Sequence, residues 1–289
     1  MLKETVMVTL RNDSYVEDFV AQGYVILRGL LDPEVVQLAR RAMMQLVDQE
    51  ARKLIGSGLI DDARVDAPFD RRLYLLYREH LDRAPLSFRK ELHLPELYPL
   101  FFNPELLDRV EELLGPEIRL YPNYTARPKL PAFAGTEVLW HQDGGYTEQI
   151  VGGRDGLADL RMVNVWTPLV PATRENGCMQ FIPGTHRLGP VEHVQKTEIY
   201  LEIAREFLDP LLDQVVDIEL DPGDVVLFHN LLFHQGQPNR SDHIRWSLDW
   251  RYQDATQPTL RVKQGHLARS RQRPESVVRN AEHWGRLEY

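Results

Sequence analysis

The chain has 289 residues, 43% of them hydrophobic and 27% charged, with a formal net charge of −9 at pH 7. That composition belongs to an ordinary globular protein long enough to bury a large core, and the acidic balance excludes a general binder of nucleic acid or of anionic membranes. The opening Met1-Leu2-Lys3-Glu4-Thr5 lacks secretory character, no apolar run is long enough to span a bilayer, and the single Cys178 excludes a disulfide framework or a cysteine zinc site, so a reducing cytoplasm is the expected location.

In chain order, Gly23 to Arg28 reads as a short strand. Asp32-Pro33-Glu34 then starts a helix, with Asp32 as its cap and Val35, Val36, Ala39, Ala42, Met43, Leu46 and Val47 as a buried stripe. Asn103-Pro104 repeats that start before Leu106, Leu107, Val110 and Leu114, and Gly115 stops the helix. The charged segment from Leu59 to Leu97 between them is a candidate cover for a pocket. From Ile118 onward the pattern is strand and turn. Ile118–Ala126, Val138–Asp143, Arg161–Leu169, Met179–Ile182, Val215–Leu220, Val225–His229 and His243–Tyr252 are the expected strands, separated by Gly152-Gly153, Asn176-Gly177, Pro183-Gly184 and Pro222-Gly223-Asp224. Helices followed by many short strands predict a mainly β protein with flanking helices, a cupin-like jelly roll. The expected organisation is one domain over 1–289: helical support to about 117, a core over about 118–255, and a helical tail over about 256–289.

The last strand carries a conflict that points to a site. His243, Arg245, Ser247, Asp249 and Arg251 share one face, and Ile244, Trp246, Leu248, Trp250 and Tyr252 share the other. The apolar face fits against the helices. Charges on the opposite face are costly inside a barrel unless partners or a ligand meet them. His141 and Asp143 lie two apart, so on a strand both face one side while Gln142 looks away. With His234 downstream they form the two-imidazole, one-carboxylate set of an open Fe(II) site, and Arg245 can grip a 2-oxo acid by its far carboxylate. His-x-Asp alone is weak, since a lone His141 is as well read as a satisfied buried histidine, and His229 competes with His234.

The surroundings decide. Trp140-His141-Gln142-Asp143, the run Glu175 to His186 (ENGCMQFIPGTH), and His234 to Ser241 (HQGQPNRS) with Arg245 together resemble the phytanoyl-CoA dioxygenase-like family, over about Val16 to Tyr252. The resemblance implies iron- and 2-oxoglutarate-dependent oxygenases on a double-stranded β-helix, using molecular oxygen. It makes His141, Asp143 and His234 the iron ligands and places Arg245, eleven residues after His234, on the distal carboxylate of 2-oxoglutarate. His229 fits neither that spacing nor those flanks. Trp166 matches a position lining the co-substrate, and Asn123 one near its oxo-acid end.

Two departures stand out. Many relatives have a serine where this chain has Gly236, so Arg245 works with another donor, Ser247 being on its face, or the co-substrate is held less tightly. Arg127 stands where a lysine is usual. The expected reaction is hydroxylation of an unactivated C–H bond of a small-molecule metabolite, with release of succinate and carbon dioxide. Asp143 fills the coordination position that halogenases free for halide. The alternatives are a cupin-type isomerase or hydrolase, which leaves Arg245 without a task, and a non-catalytic binder. Of the remaining features, His186 reads as a turn residue, Cys178 as packing, and the basic stretch Arg261 to Arg279 as a solvated face or a clamp on acidic parts of the chain. Gly144, Gly145 and Tyr146 flank the metal residues, and Ile150 to Leu160 is a candidate lid. Trp140, Tyr146 and Trp250 fit either a pocket lining or the core.

Overall fold

The computed structural model describes residues 13–151, 156–196 and 201–289. Gly152 and Gly153 of the candidate lid, like the opening Met1 to Thr5, lie outside the described residues. Helices dominate the first part: α1 (Asp13–Gln22), α2 (Pro33–Gly56), α3 (Arg72–Tyr77), α4 (Tyr98–Phe101) and α5 (Pro104–Leu114), with α6 (Asp143–Val151), α7 (Arg205–Leu208) and α8 (Ala281–Gly285) further on. The two anticipated caps form. Asp32 Oδ1 accepts from Glu34 N at 2.7 Å, and Asn103 Oδ1 accepts from Leu106 N at 3.0 Å, each answering an otherwise orphaned helix donor. None of the described helices is long and apolar enough to cross a membrane.

The strands are β1 (Tyr24–Leu27), β2 (Ile118–Leu120), β3 (Thr125–Lys129), β4 (Val138–His141), β5 (Met162–Pro168), β6 (Met179–Ile182), β7 (His193–Gln195), β8 (Leu201–Ile203), β9 (Val216–Ile218), β10 (Val225–His229), β11 (Phe233–Gly236), β12 (Arg245–Asp254) and β13 (His266–Arg269). A large antiparallel sheet runs β1-β10-β5-β12-β2-β13, with β3 also pairing β12; a smaller one runs β4-β11-β6-β9, and β7 pairs β8. The inner faces of the two main sheets meet in one apolar cluster, with Trp166 and Phe228 from the large sheet against Met179, Phe181 and Ile218 from the small one. This is the jelly-roll arrangement, with helices on the outer face of the large sheet.

Strand β12 separates two environments. Trp246, Leu248, Trp250 and Tyr252 enter the core built with the helices, alongside Val163, Val165, Met43 and Leu46. The segment before α4 closes that layer: Phe88 exchanges both backbone hydrogen bonds with Ala126 at 2.9 Å and stacks on Trp246. The alternate residues of β12, Arg245, Ser247, Asp249 and Arg251, face inward.

Three expectations need correction. The strand anticipated over Ile118–Ala126 is two strands, because Pro122 brings no N–H to the ladder and the chain turns there between β2 and β3. Strand β4 ends at His141, and Asp143 opens α6 rather than continuing the strand. The tail is not helical. It adds β13 to the large sheet, makes a 3-10 turn over Pro274–Ser276, and forms only the short α8. Trp284 of α8 explains the tail's course. Its indole donates to Leu92 O at 3.1 Å and its ring stacks on His93 at 4.0 Å, with Phe101, Phe102 and Tyr124 around it. The basic residues clamp α5, with Arg269 reaching Asp108 and Glu111 at 2.8 Å and Arg271 pairing with Glu111.

The tail also makes stability depend on pH. Burial, then His93, pulls His266 down to about 4, so it is neutral in the fold at a pH where the unfolded chain binds a proton. A depressed histidine contributes stability that is present above about pH 6.5 and lost as pH falls toward about 4, on the order of 3 kcal/mol. Urea midpoints measured from pH 7 to pH 4.5 should fall, and His266→Phe should flatten that fall. An unchanged slope in the variant would assign the acid sensitivity elsewhere.

Candidate active site

His234 on β11 lies directly opposite His141 on β4 in the antiparallel register, and their ring centroids are 4.0 Å apart. Asp143 swings in from the start of α6, with Oδ1 3.7 Å from His141 Nε2. One ligand atom from each of the three lies within 4.8 Å of the others, making this the histidine–carboxylate group among the described residues that can hold a metal ion. Both histidines are oriented by their own backbone. His141 Nδ1 meets Leu139 O at 2.7 Å and His234 Nδ1 meets Leu232 O at 2.8 Å. A carbonyl only accepts, so each Nδ1 carries the proton and each Nε2 keeps its lone pair for the cluster. Burial, then His141, pulls His234 down to about 3, which keeps that ring neutral.

Gln142 does look away, and it does structural work. Its amide nitrogen donates to Gly189 O at 2.9 Å and Leu231 O at 2.7 Å, and its oxygen accepts from Val191 N at 3.0 Å. One buried side chain thus ties the His141–Asp143 turn to two loops. Gly144 and Gly145 let α6 begin there, since a Cβ on Gly144 meets Leu231 at 2.7 Å and one on Gly145 meets the His193 ring at 2.8 Å.

Asp143 is held from behind by a residue whose role was not evident in the sequence. Arg251 Nε and Nη2 donate to Asp143 Oδ2 at 3.1 and 2.6 Å. Its Nη1 donates to Asp249 Oδ1, and Arg127 Nε donates to Asp249 Oδ2 at 2.7 Å. The alternating chain Asp143–Arg251–Asp249–Arg127 answers the charges on the inner face of β12. Burial alone raises the Asp143 carboxyl; Arg251 and the two histidines reverse this and hold it well below the usual carboxylate range. With Oδ2 occupied by the arginine, Oδ1 remains for the cluster.

A second buried cation lies deeper. Arg245 is 3% exposed, and among the described residues no carboxylate lies within 4 Å of it. It donates to Ser247 Oγ, its guanidinium lies 5.3 Å from the Trp166 ring centroid, and its Nε has no partner. Burial pulls it down to about 10, still charged at neutral pH. Arg245, Trp166, His141 and His234 line one cavity with Arg127, Asp249 and Arg251 and with the apolar Val138, Met179 and Phe228. It encloses about 430 Å³ not filled by protein, part of it open to solvent.

The family profile for phytanoyl-CoA dioxygenase matches residues 19–247. The chain belongs to the phytanoyl-CoA dioxygenase family. It is 30% identical over 247 residues to the 1-deoxypentalenic acid 11-beta-hydroxylase of Streptomyces arenae, covering 81% of this chain and 78% of that one. It is 27% identical over 267 residues to phytanoyl-CoA dioxygenase domain-containing protein 1 of Danio rerio, covering 81% and 87%. Two solved structures share the fold. EctD from S. alaskensis, with 2-oxoglutarate and 5-hydroxyectoine, gives a TM-score of 0.61 at 23% identity, covering 88% of this chain and 79% of that one. The non-heme monooxygenase ThoJ gives 0.60 at 23% identity, covering 89% and 84%. This phytanoyl-CoA dioxygenase family member is an oxygenase, and the cluster and cavity are where its fold concentrates suitable chemistry.

The other anticipated residues are spread. Asn123 is not among the cavity-lining residues; its Oδ1 accepts from Arg89 at 3.1 Å and its backbone oxygen accepts from Arg251 at 3.5 Å. His229 faces His186 at 5.2 Å, and its Nδ1 accepts from Leu231 N, away from the cluster. His186 sits in the 3-10 turn Thr185–Leu188 and clips Val20 O at 3.1 Å. Trp250 belongs to the helix-side core and Trp140 to a cluster with Ile182 and Phe233, while Tyr146 sets its ring edge against His141. Replacing Arg251 by Met is expected to weaken Mn(II) binding by about 10–100-fold in a calorimetric titration. Unchanged affinity would show that Asp143 needs no partner to present its oxygen.

Proposed function

We propose that His141, Asp143 and His234 hold the Fe(II), and that Arg245, with Ser247 and Trp166, holds the 2-oxoglutarate, of an oxygenase that hydroxylates an unactivated C–H bond of a small-molecule metabolite. The observation that carries this reading is Arg245: a buried guanidinium without a carboxylate partner among the described residues, in the wall of the cavity that His141 and His234 also line. Such a charge is costly unless an anion answers it, and a planar carboxylate matches its geometry. A cupin-type isomerase or hydrolase has no use for it. The donor set fits as well, since two neutral imidazoles and one carboxylate suit Fe(II) and leave positions open.

With 2-oxoglutarate and oxygen, bound iron supplies the oxidising power: the 2-oxo acid becomes succinate and carbon dioxide, and one oxygen atom enters the substrate C–H bond. The chain does the rest by position. Backbone carbonyls of Leu139 and Leu232 aim the two imidazoles, and Arg251 turns one carboxylate oxygen toward the cluster while occupying the other. Arg245 sets the depth at which the co-substrate's far carboxylate stops, and Trp166 supplies a flat wall beside it. Val138, Met179 and Phe228 offer apolar contact to a substrate skeleton, and Arg127 and Asp249 a polar edge. Asn123 orients Arg251 from behind. In this reading residues 1–289 act as one catalytic domain in the cytoplasm, where the buried Cys178 stays a thiol.

Three measurements test it. An anaerobic visible spectrum should show an absorption band that needs both Fe(II) and 2-oxoglutarate, is absent in His234→Ala, and is weakened in Arg245→Ala. Loss of the buried guanidinium should also raise the 2-oxoglutarate Kd by roughly 30-fold or more. No band in the wild type would overturn the cofactor reading. Because Asp143 fills the third protein position, turnover with any accepted substrate in chloride buffer should give hydroxylated and no chlorinated product by mass spectrometry; a chlorinated product would contradict Asp143 as a ligand.

A further inference from the structure

Lys129 lies directly opposite Arg245 in the β3–β12 register, on the same inward face of the large sheet. It is 3% exposed, and no carboxylate among the described residues lies within 4 Å of its ammonium. Its contacts are neutral: Nζ donates to Gly236 O at 3.0 Å and to Gln237 O at 2.5 Å. Two basic side chains therefore stand side by side, met among the described residues by Ser247 Oγ, the Trp166 ring and two backbone carbonyls. Burial, then Arg245, pulls the Lys129 ammonium well below its ordinary range, as expected of like charges.

The place of this lysine is set by Gly236. That glycine lines the cavity, and a Cβ built on it stands 3.4 Å from Lys129 Nζ. Any side chain at 236 occupies the space between the ammonium and the cavity. In its absence the ammonium backs the cavity wall beside Arg245, where burial strengthens the action of a charge.

We propose that Lys129 supplies a second positive charge to the far-carboxylate end of the 2-oxoglutarate pocket, acting beside Arg245 through the gap that Gly236 leaves. The proposal rests on the reading of Arg245 as the co-substrate's anchor. It assigns Lys129 a part in selecting a dicarboxylate over a 2-oxo monoacid, in the place of the hydroxyl that residue 236 does not offer.

The test compares two probes on Mn(II)-loaded protein by calorimetry: 2-oxoglutarate, and 2-oxopentanoate, which lacks the far carboxylate. Lys129→Met removes the charge and the hydrogen bonds, whereas Lys129→Gln removes the charge and keeps an N–H to bind the Gly236 and Gln237 carbonyls. Both variants should lose about tenfold or more in affinity for 2-oxoglutarate while 2-oxopentanoate changes less than about twofold. Equal loss for both probes, or recovery of 2-oxoglutarate affinity in Lys129→Gln, would make Lys129 a brace for β11 and overturn the proposal, as would no loss in either variant. A wild-type protein that binds the two probes equally would instead overturn the Arg245 reading itself, and the lysine's role with it.

Discussion

A strand buried on both faces, with a charge or hydroxyl at every second position, has to answer each polar group from within the protein or from a ligand. All ten residues of β12 are buried. Its outward face is paid for by Trp246, Leu248, Trp250 and Tyr252 in the helix-side core, which fixes the register and leaves the opposite row no alternative direction. A one-residue slip would place four large apolar side chains in the polar cavity and four polar ones in the core. The inward row is therefore held in place by apolar packing it takes no part in.

Within that row the charges sort into two groups. Arg251 and Asp249 are answered internally, through Asp143 and Arg127, and the chain they form ends at the metal-binding cluster. Arg245 is not answered by a carboxylate among the described residues, and neither is its neighbour Lys129. The division follows position along the strand: the neutralised end meets the His-Asp-His cluster, and the positive end is the one proposed to receive a co-substrate's far carboxylate. One sheet face thus supports the carboxylate of the cluster through Arg251 at one end and carries Arg245 and Lys129 at the other. The intervening Ser247 accepts a hydrogen bond from the Arg245 guanidinium.

Much of this was legible in the sequence where local rules and tertiary demands agree. The caps at Asp32 and Asn103 are local chemistry, and β6 and β10 span the residues that their flanking turns suggested. The two faces of β12 follow from period two alone. What escaped depends on contacts far apart in sequence. Strand β11, which carries His234, is a four-residue Phe-His-Gln-Gly segment with little strand propensity, made a strand by neighbours on both sides. The tail was expected to be helical, yet Trp284 and the edge of β2 decide its course, through contacts with residues far away in sequence. Asp143 reads as the end of a strand because alternation continues through it, but two glycines after it permit a tight switch into α6. The inward position of Arg251 was readable; its partner was not, because Asp143 lies 108 residues away.

Lys129 shows the same limit more sharply. Nothing local distinguishes it from a surface lysine at a strand end, and its meaning appears only when β3 pairs with β12 and β11 passes beneath with a glycine at 236. The glycine that departs from the family pattern and the lysine behind it then become parts of one solution. A hydroxyl at 236 contributes a neutral hydrogen bond to a carboxylate; an ammonium a side chain's depth behind it contributes a full charge without projecting into the cavity. The second arrangement leaves more room near the metal cluster, at the cost of burying like charges together in the absence of the anion. That cost is relieved when a dicarboxylate enters, so binding gains what the free site loses. The neutral carbonyls of Gly236 and Gln237 hold the lysine beside Arg245.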